Sequence, residues 1–383
     1  MPTGIYTGVN GKARKVKAIY VGYDNKAYSL KAVYIGVNGK ARLCWRKSGV
    51  YKYTGSISDL TNAKMALAAG TVGNYAVFAG GQNLDSTRER SYSTVDAYDS
   101  SLVKRTVSDL KDGRSFLAST NAGNSVLFGG GRSMLSGDAS DYYATVEAYD
   151  SSLTKSVLTD LSKKRGYLAA TRVGTFAMFA GGAYDNGSVV DAYNDIWSKS
   201  ILADLSNAKH TLGATTVGNY ALFAGGASND VKNTYSTVDA YSSSLVKTTV
   251  KNLDVARRSI ASTTVGNYAL FAGGWDSSNH AVKKIDAYDS SLVKITIADL
   301  PVNKASMAAT TVGNYAIFNG LDGYNSSIIY NSSLTRTRAP GLIEHAYYMA
   351  ATTVGNYGLF AGGRNSEGTK VYASVEAFYE YKN

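Results

Sequence analysis

Three histidines and one cysteine are all the soft-ligand chemistry that this 383-residue chain possesses. His210, His280 and His345 lie far apart, with no H-x-H or H-E-x-x-H spacing, so no zinc or copper centre is expected and no cofactor is assigned. Cys44 stands alone, which excludes a disulfide scaffold; a small buried apolar role suits it. Carboxylates are plentiful. Asp85, Glu89, Asp138, Asp141, Asp185, Asp230, Asp276, Asp322 and Glu367 fall in variable stretches, where a pair could serve glycoside hydrolysis, although solvated surface acids are the plainer reading. Residues suited to binding are aromatic rings beside amides and cations: Tyr142, Tyr184, Trp275 and Tyr324, with Arg88, Asn279, His280 and Arg364. A ring face stacks on sugar C–H groups while polar neighbours read hydroxyls, and packing within a loop is the alternative.

The elements that hold these residues are repeats. The string VGNY recurs from Val72, Val217, Val265, Val312 and Val354, with variants AGNS from Ala122 and VGTF from Val173. The seven copies lie 42 to 51 residues apart. Each reads as four short strands: a run such as LGATTV, a Gly-Asn turn into YALFAGG, a variable stretch, then STVDAY, DSSL and VKTTVKNL. Short runs rich in Val, Tyr, Phe and Thr, bounded by Gly, Asn, Asp and Ser, are strand chemistry, and helix signals are nearly absent. Seven such units imply an all-β, seven-bladed β-propeller. The last copy ends on SVEAFYEY without a fourth strand, while YKYTGSISDL (51–60) precedes the first copy without a blade. Pairing the two closes the circle and removes two exposed edges.

A strand ending in Gly-Gly and followed by VDAYD resembles the kelch repeat. The diglycines are Gly80-Gly81, Gly130-Gly131, Gly181-Gly182, Gly225-Gly226, Gly273-Gly274 and Gly362-Gly363, with Asn319-Gly320 in the sixth unit. The kelch Tyr is matched by Tyr98, Tyr149, Tyr193, Tyr241, Tyr288 and Tyr330, with Phe378 last; the kelch Trp seven residues on is absent. Residues 1–48 repeat differently: Tyr6, Tyr20 and Tyr34 are spaced by 14, and Asn10-Gly11, Asp24-Asn25 and Asn38-Gly39 suit hairpin turns. Their GVNGKAR units are similar to N-terminal segments of tail and tail-fibre proteins of phages and phage-like particles of Gram-positive bacteria.

Propeller geometry then sorts the loops. With strands a to d running outward, the d–a and b–c connections emerge on one face and the a–b and c–d turns on the other. The a–b and c–d turns are nearly uniform, whereas the b–c loops vary from GRSMLSGDASDYYAT to LDGYNSS, so the b–c face is the expected recognition surface. The same connections carry a basic series, Lys64, Arg114, Arg165, Lys209, Arg257 and Lys304, broken at Ala346. One reading makes it a cationic rim for an anionic ligand. The other pairs each cation with the aspartates of the DL step, Asp59, Asp109, Asp160, Asp204 and Asp299.

The formal charge is +11, from 40 basic and 29 acidic residues, but residues 1–48 alone hold ten basic residues and one acid. The expected domains are thus a basic hairpin module, 1–48, and a nearly neutral propeller, 49–383. No run approaches the ~18 apolar residues of a membrane span, so no membrane insertion is expected, and the first twenty residues lack the apolar core of a signal peptide. No nucleic-acid motif accompanies the basic module, so no nucleic-acid partner is expected. The tail resemblance implies a non-enzymatic virion or phage-like tail component, made in the bacterial cytoplasm and released by lysis. On that reading residues 1–48 dock to other tail or baseplate proteins, the protein is a homo-oligomer in the particle, and the propeller binds a host-surface glycan or anionic wall polymer. A kelch-type protein adaptor and a glycan-cleaving propeller are the competing readings.

Overall fold

The computed structural model describes residues 6–382 apart from 10–11, 16–19, 24–25, 30–31, 38–39, 47, 84–89, 134–141, 185–186, 321–325 and 344–345. Arg88, Tyr324, His345, the acids Asp85, Glu89, Asp138, Asp141, Asp185 and Asp322, and the three hairpin turns of the N-terminal repeat lie outside the described residues. The chain divides into two compact units, residues 1–51 with 379–383 and residues 52–378. In the first, each 14-residue repeat forms one antiparallel pair: Tyr6–Val9 with Lys12–Lys15, Tyr20–Tyr23 with Lys26–Ser29, and Ala32–Val37 with Lys40–Arg46.

The second unit is a seven-bladed propeller of four-stranded antiparallel sheets. Blade 4 is representative, with strands a Gly213–Val217, b Tyr220–Ala224, c Val238–Ser242 and d Lys247–Val250 in the order a-b-c-d. Strand a alternates buried and half-buried positions and strand b is buried beyond its first residue, as a strand packed on both faces must be. Blade 7 takes its outer strand from Gly49–Lys52, so the ring closes through the N-terminal segment as expected. The Tyr53 amide donates to the Ala377 carbonyl at 2.8 Å there.

The uniformity of one face has a steric cause. Gly218, in the a–b turn of blade 4, has φ 52°, and a Cβ on it would stand 2.9 Å from Cβ of Ser290 in the next blade's c–d turn. The diglycine is constrained from both sides. Gly225 has φ 68°, and a Cβ on it would lie 2.5 Å from the Arg257 carbonyl of the following connector.

That connector is the element that welds blade to blade. Between blades 4 and 5, Leu253 and Arg257 donate backbone bonds to Ser236 and Tyr235 of the blade being left (2.8 and 3.1 Å). Side chains of the blade being entered grip it from the far side: Tyr288 Oη donates to the Lys251 carbonyl at 2.8 Å and Lys294 Nζ to the Asn252 carbonyl at 2.9 Å. The Arg257 guanidinium reaches the Asp286 carboxylate at 2.7 Å, with both side chains fully buried. Other blades repeat the pair as Lys64–Asp96 (3.0 Å), Arg114–Glu147 (2.8 Å), Arg165–Asp191 (2.7 Å) and Lys209–Asp239 (3.2 Å). The tyrosine grip also repeats, for example Tyr98 to Ser58 and Tyr193 to Thr159.

Both sequence readings of the basic series need correction. Lys64, Arg114, Arg165, Lys209 and Arg257 are 0% exposed and Lys304 is 1%, so they form no rim. Their partners are the acids of strand c, not the DL aspartates. Asp109 and Asp299 instead accept the backbone amides of Val95 and Ile285 at the start of strand c, at 3.2 and 3.3 Å. Burial pushes the Asp96 carboxyl up, but Lys64 and bonds from Lys104 and Thr61 outweigh it and hold the group below the usual carboxylate range. Two blades depart from the pattern. Blade 6 has Ile328 opposite Phe318, where blade 5 sets Asp286 opposite Phe271, and Lys304 Nζ donates to the Gly320 carbonyl at 3.4 Å. In blade 7, where Ala346 replaces the cation, Glu376 pairs with Lys52 and accepts the Ile343 amide at 2.9 Å.

Removing one partner of a fully buried pair strands the other charge, at a cost of about 3–5 kcal/mol. Arg165→Met should therefore lower the urea midpoint of unfolding by that equivalent. Tyr193→Phe, which deletes one neutral bond, should cost only about 0.5–1.5 kcal/mol. Equal effects of the two would show that the ion pair is not the stronger joint.

Candidate functional site

Two residues after each connector-cation position, which Ala346 fills in blade 7, the chain must turn sharply to enter strand a. Ala66, Phe116, Tyr167, Thr211, Ser259, Ser306 and Tyr348 occupy this position, all with φ between 51° and 58°. L-residues avoid that region at a cost of about 1–2 kcal/mol each. The turn is sustained by a closed circle of backbone bonds. Each of the seven amides donates to the carbonyl of the equivalent residue one blade back, from Phe116 to Ala66 (2.9 Å) round to Tyr348 to Ser306 (3.3 Å) and Ala66 to Tyr348 (2.9 Å). Seven side chains are thereby fixed around the channel mouth, on the face that bears the b–c loops.

The mouth is a cavity of about 560 Å³. Its floor is an aliphatic collar of one residue per blade: Leu67, Leu117, Leu168, Leu212, Ile260, Met307 and Met349. Deeper along strand a, a second cavity of about 570 Å³ is lined mainly by threonines. Several of these bond across blades, as Thr215 does with Thr264 at 2.8 Å. The mouth's wall is asymmetric. Blades 7, 2 and 3 contribute Tyr348, Phe116 and Tyr167; Phe116 stacks on Tyr167 at 4.0 Å between centroids and meets Tyr348 edge-on at 6.1 Å. Blades 4, 5 and 6 contribute the hydroxyls of Thr211, Ser259 and Ser306.

Cations stand behind both arcs. Arg132 lies 5.7 and 5.3 Å from the ring centroids of Phe116 and Tyr167, and Arg364 lies 5.4 Å from that of Tyr348. Arg258 lines the polar arc and donates to Asn279 Oδ1 at 2.5 Å. Among the described residues no carboxylate lines the mouth. His210 is 8% exposed; burial, followed by the charge of Arg258, holds its imidazole below the usual histidine range despite the Ser228 carbonyl. Its Nε2–H donates to the Ser228 carbonyl at 3.1 Å.

The structure thus gathers part of the sequence-selected set. Trp275 Nε1 donates to Ser306 Oγ at 3.2 Å, and Arg364 and Asn279 reach the mouth through Tyr348 and Arg258. Tyr142 and Tyr184 stack on each other across blades 2 and 3. His280 is exposed, its ring 3.9 Å from the Asp276 carboxylate. Sequence reasoning missed Phe116, Tyr167, Tyr348, Arg132 and Arg258. The position itself can be read from the repeat: two residues after the connector-cation position stand Ala, Phe, Tyr, Thr, Ser, Ser and Tyr in successive units, one residue before a repeated Leu, Ile or Met.

No family model and no curated protein matches the chain. Among solved structures, that of YjhT is similar, with a TM-score of 0.54 and 9% identity, covering 84% of this chain and 96% of that one. At such identity the likeness establishes the propeller fold and nothing finer.

The strained circle predicts an inverted response to substitution. Ser259→Gly relieves φ 53° while keeping the N–H, and should raise unfolding stability by about 0.5–1 kcal/mol. Ser259→Pro removes that donor and forbids the turn, and should lower stability by about 3 kcal/mol or more. Destabilisation by Ser259→Gly in urea titration would show the turn to be unstrained.

Proposed function

We propose that this protein is a non-enzymatic component of a virion or phage-like tail, whose propeller mouth binds a host-surface glycan or anionic wall polymer and whose residues 1–48 dock to the particle. One observation carries the binding half. The seven side chains that the backbone circle sets around the mouth differ in type from blade to blade, as do the loops above it, while strands a and b hardly change. Aromatic faces on one arc and hydroxyls on the other match the two sides of a pyranose. Arg132, Arg258 and Arg364, with no carboxylate lining the cavity among the described residues, favour a ligand carrying negative charge. The docking half rests on the GVNGKAR repeats and on the concentration of charge, ten basic residues to one acid, in residues 1–48. A surface that strongly cationic attracts an acidic partner surface.

Full-length protein should adsorb to intact cells of the host bacterium, and Tyr348→Ala should weaken adsorption about tenfold with the melting temperature little changed. Adsorption unaffected by Tyr348→Ala and Phe116→Ala together would place recognition elsewhere. Deleting residues 1–48 should abolish incorporation into particles and spare adsorption. Incubation with purified host envelope should release no reducing sugar; release would replace the receptor reading with a hydrolase.

A further inference from the structure

Outside the mouth, two rings depart from the repeat in a way the fold does not require. At the second position after the diglycine, other blades carry short polar residues such as Ser133, Ser228 and Asn365; blade 3 carries Tyr184. Its side chain is 45% exposed and its φ is 95°, a conformation that costs a bulky residue about 1–3 kcal/mol. The ring lies parallel to that of Tyr142 from blade 2, with centroids 5.0 Å apart and planes within 5°. Strain of this kind persists where the surroundings impose it, and here it holds an aromatic face toward solvent.

The stack is tied to the mouth through the backbone: Tyr142 pairs with Arg132 in an antiparallel bridge, and Tyr184 pairs with Arg165 of the blade 3 connector. The Arg132 guanidinium lies over both Phe116 and Tyr167, the aromatic arc of the cavity. Arg132 therefore stands between two aromatic surfaces, the arc inside the mouth and the Tyr142–Tyr184 pair beside it.

We infer that this surface is a track for a glycan chain, with the terminal sugar in the mouth and a neighbouring sugar stacked on the Tyr142–Tyr184 pair; the inference rests on the receptor reading above. A single sugar would leave the outer pair unused. A pyranose chain presents C–H faces and hydroxyls at successive residues, which suits rings interrupted by a guanidinium.

The test uses surface polysaccharide from the bacterium to which the full chain adsorbs, hydrolysed and fractionated into fragments of one to five sugars, with binding measured by titration calorimetry. Affinity should rise about tenfold or more between one sugar and the longer fragments. Tyr184→Ala and, separately, Tyr142→Ala should remove about three- to tenfold of that gain while leaving single-sugar affinity unchanged. Tyr348→Ala should weaken every fragment. Equal affinity at all lengths, or a silent response to both rim variants, would overturn the track and leave the receptor reading standing. No binding by the wild-type chain to any fragment or to the parent polymer would overturn both. Binding abolished by protease treatment of the extract, and unaffected by periodate, would assign the surface to a peptide instead.

Discussion

The propeller depends on a buried charge pair placed where the chain passes from one blade to the next. A connector such as that containing Arg257 touches the blade it leaves through backbone bonds and the blade it enters through the Arg257–Asp286 pair. Side chains with no exposure hold these charges, so neither is hydrated in the closed joint and each depends on the other for compensation. The diglycine, the VDAY tyrosine and the basic residue at the start of strand d all serve the same crossing. Gly225 makes room for it, Tyr288 and Lys294 bond its carbonyls, and the same carboxylate that meets Arg257 also meets Lys294 at 2.5 Å. Most of what looks conspicuous in the repeat is thus devoted to joining blades.

That division explains which features were legible in the sequence. Blade number, strand order and the closure by residues near Lys52 follow from spacing, because each blade repeats one pattern and the last lacks its outer strand. The basic series was equally visible, but its meaning was not. A sequence shows that Lys64 and Arg114 recur; it does not show that the recurring acid of VDAY stands opposite them inside the sheet. The exceptions make the point. Where Ile328 replaces the acid, Lys304 turns to the Gly320 carbonyl, and where Ala346 replaces the cation, Glu376 turns to Lys52, so each remaining member is still held inside the fold.

The mouth was harder to find, for the converse reason. Its residues share a backbone conformation, not a side-chain type, so no motif marks them. Phe116 and Ser259 look unrelated until φ and the circle of amide bonds place them at equivalent points. Tyr142 and Tyr184 are legible as aromatic residues in variable stretches, and the structure stacks those two on each other. Charge takes on a clearer role as well: the excess behind +11 sits in residues 1–48, while five of the six cations in the propeller's connector series are neutralised by buried acids of strand c.

The blade joints hold seven strained residues in one closed, pre-formed circle around a cavity open to ligand. Amide hydrogen exchange read at Ala66, Phe116, Tyr167, Thr211, Ser259, Ser306 and Tyr348 tests it most directly. All seven amides should be protected together, exchange only with opening of the whole propeller, and keep the same protection in Tyr348→Ala. Exchange of individual amides at rates typical of exposed loops would contradict it, because the mouth would then be seven independent turns and not a built site.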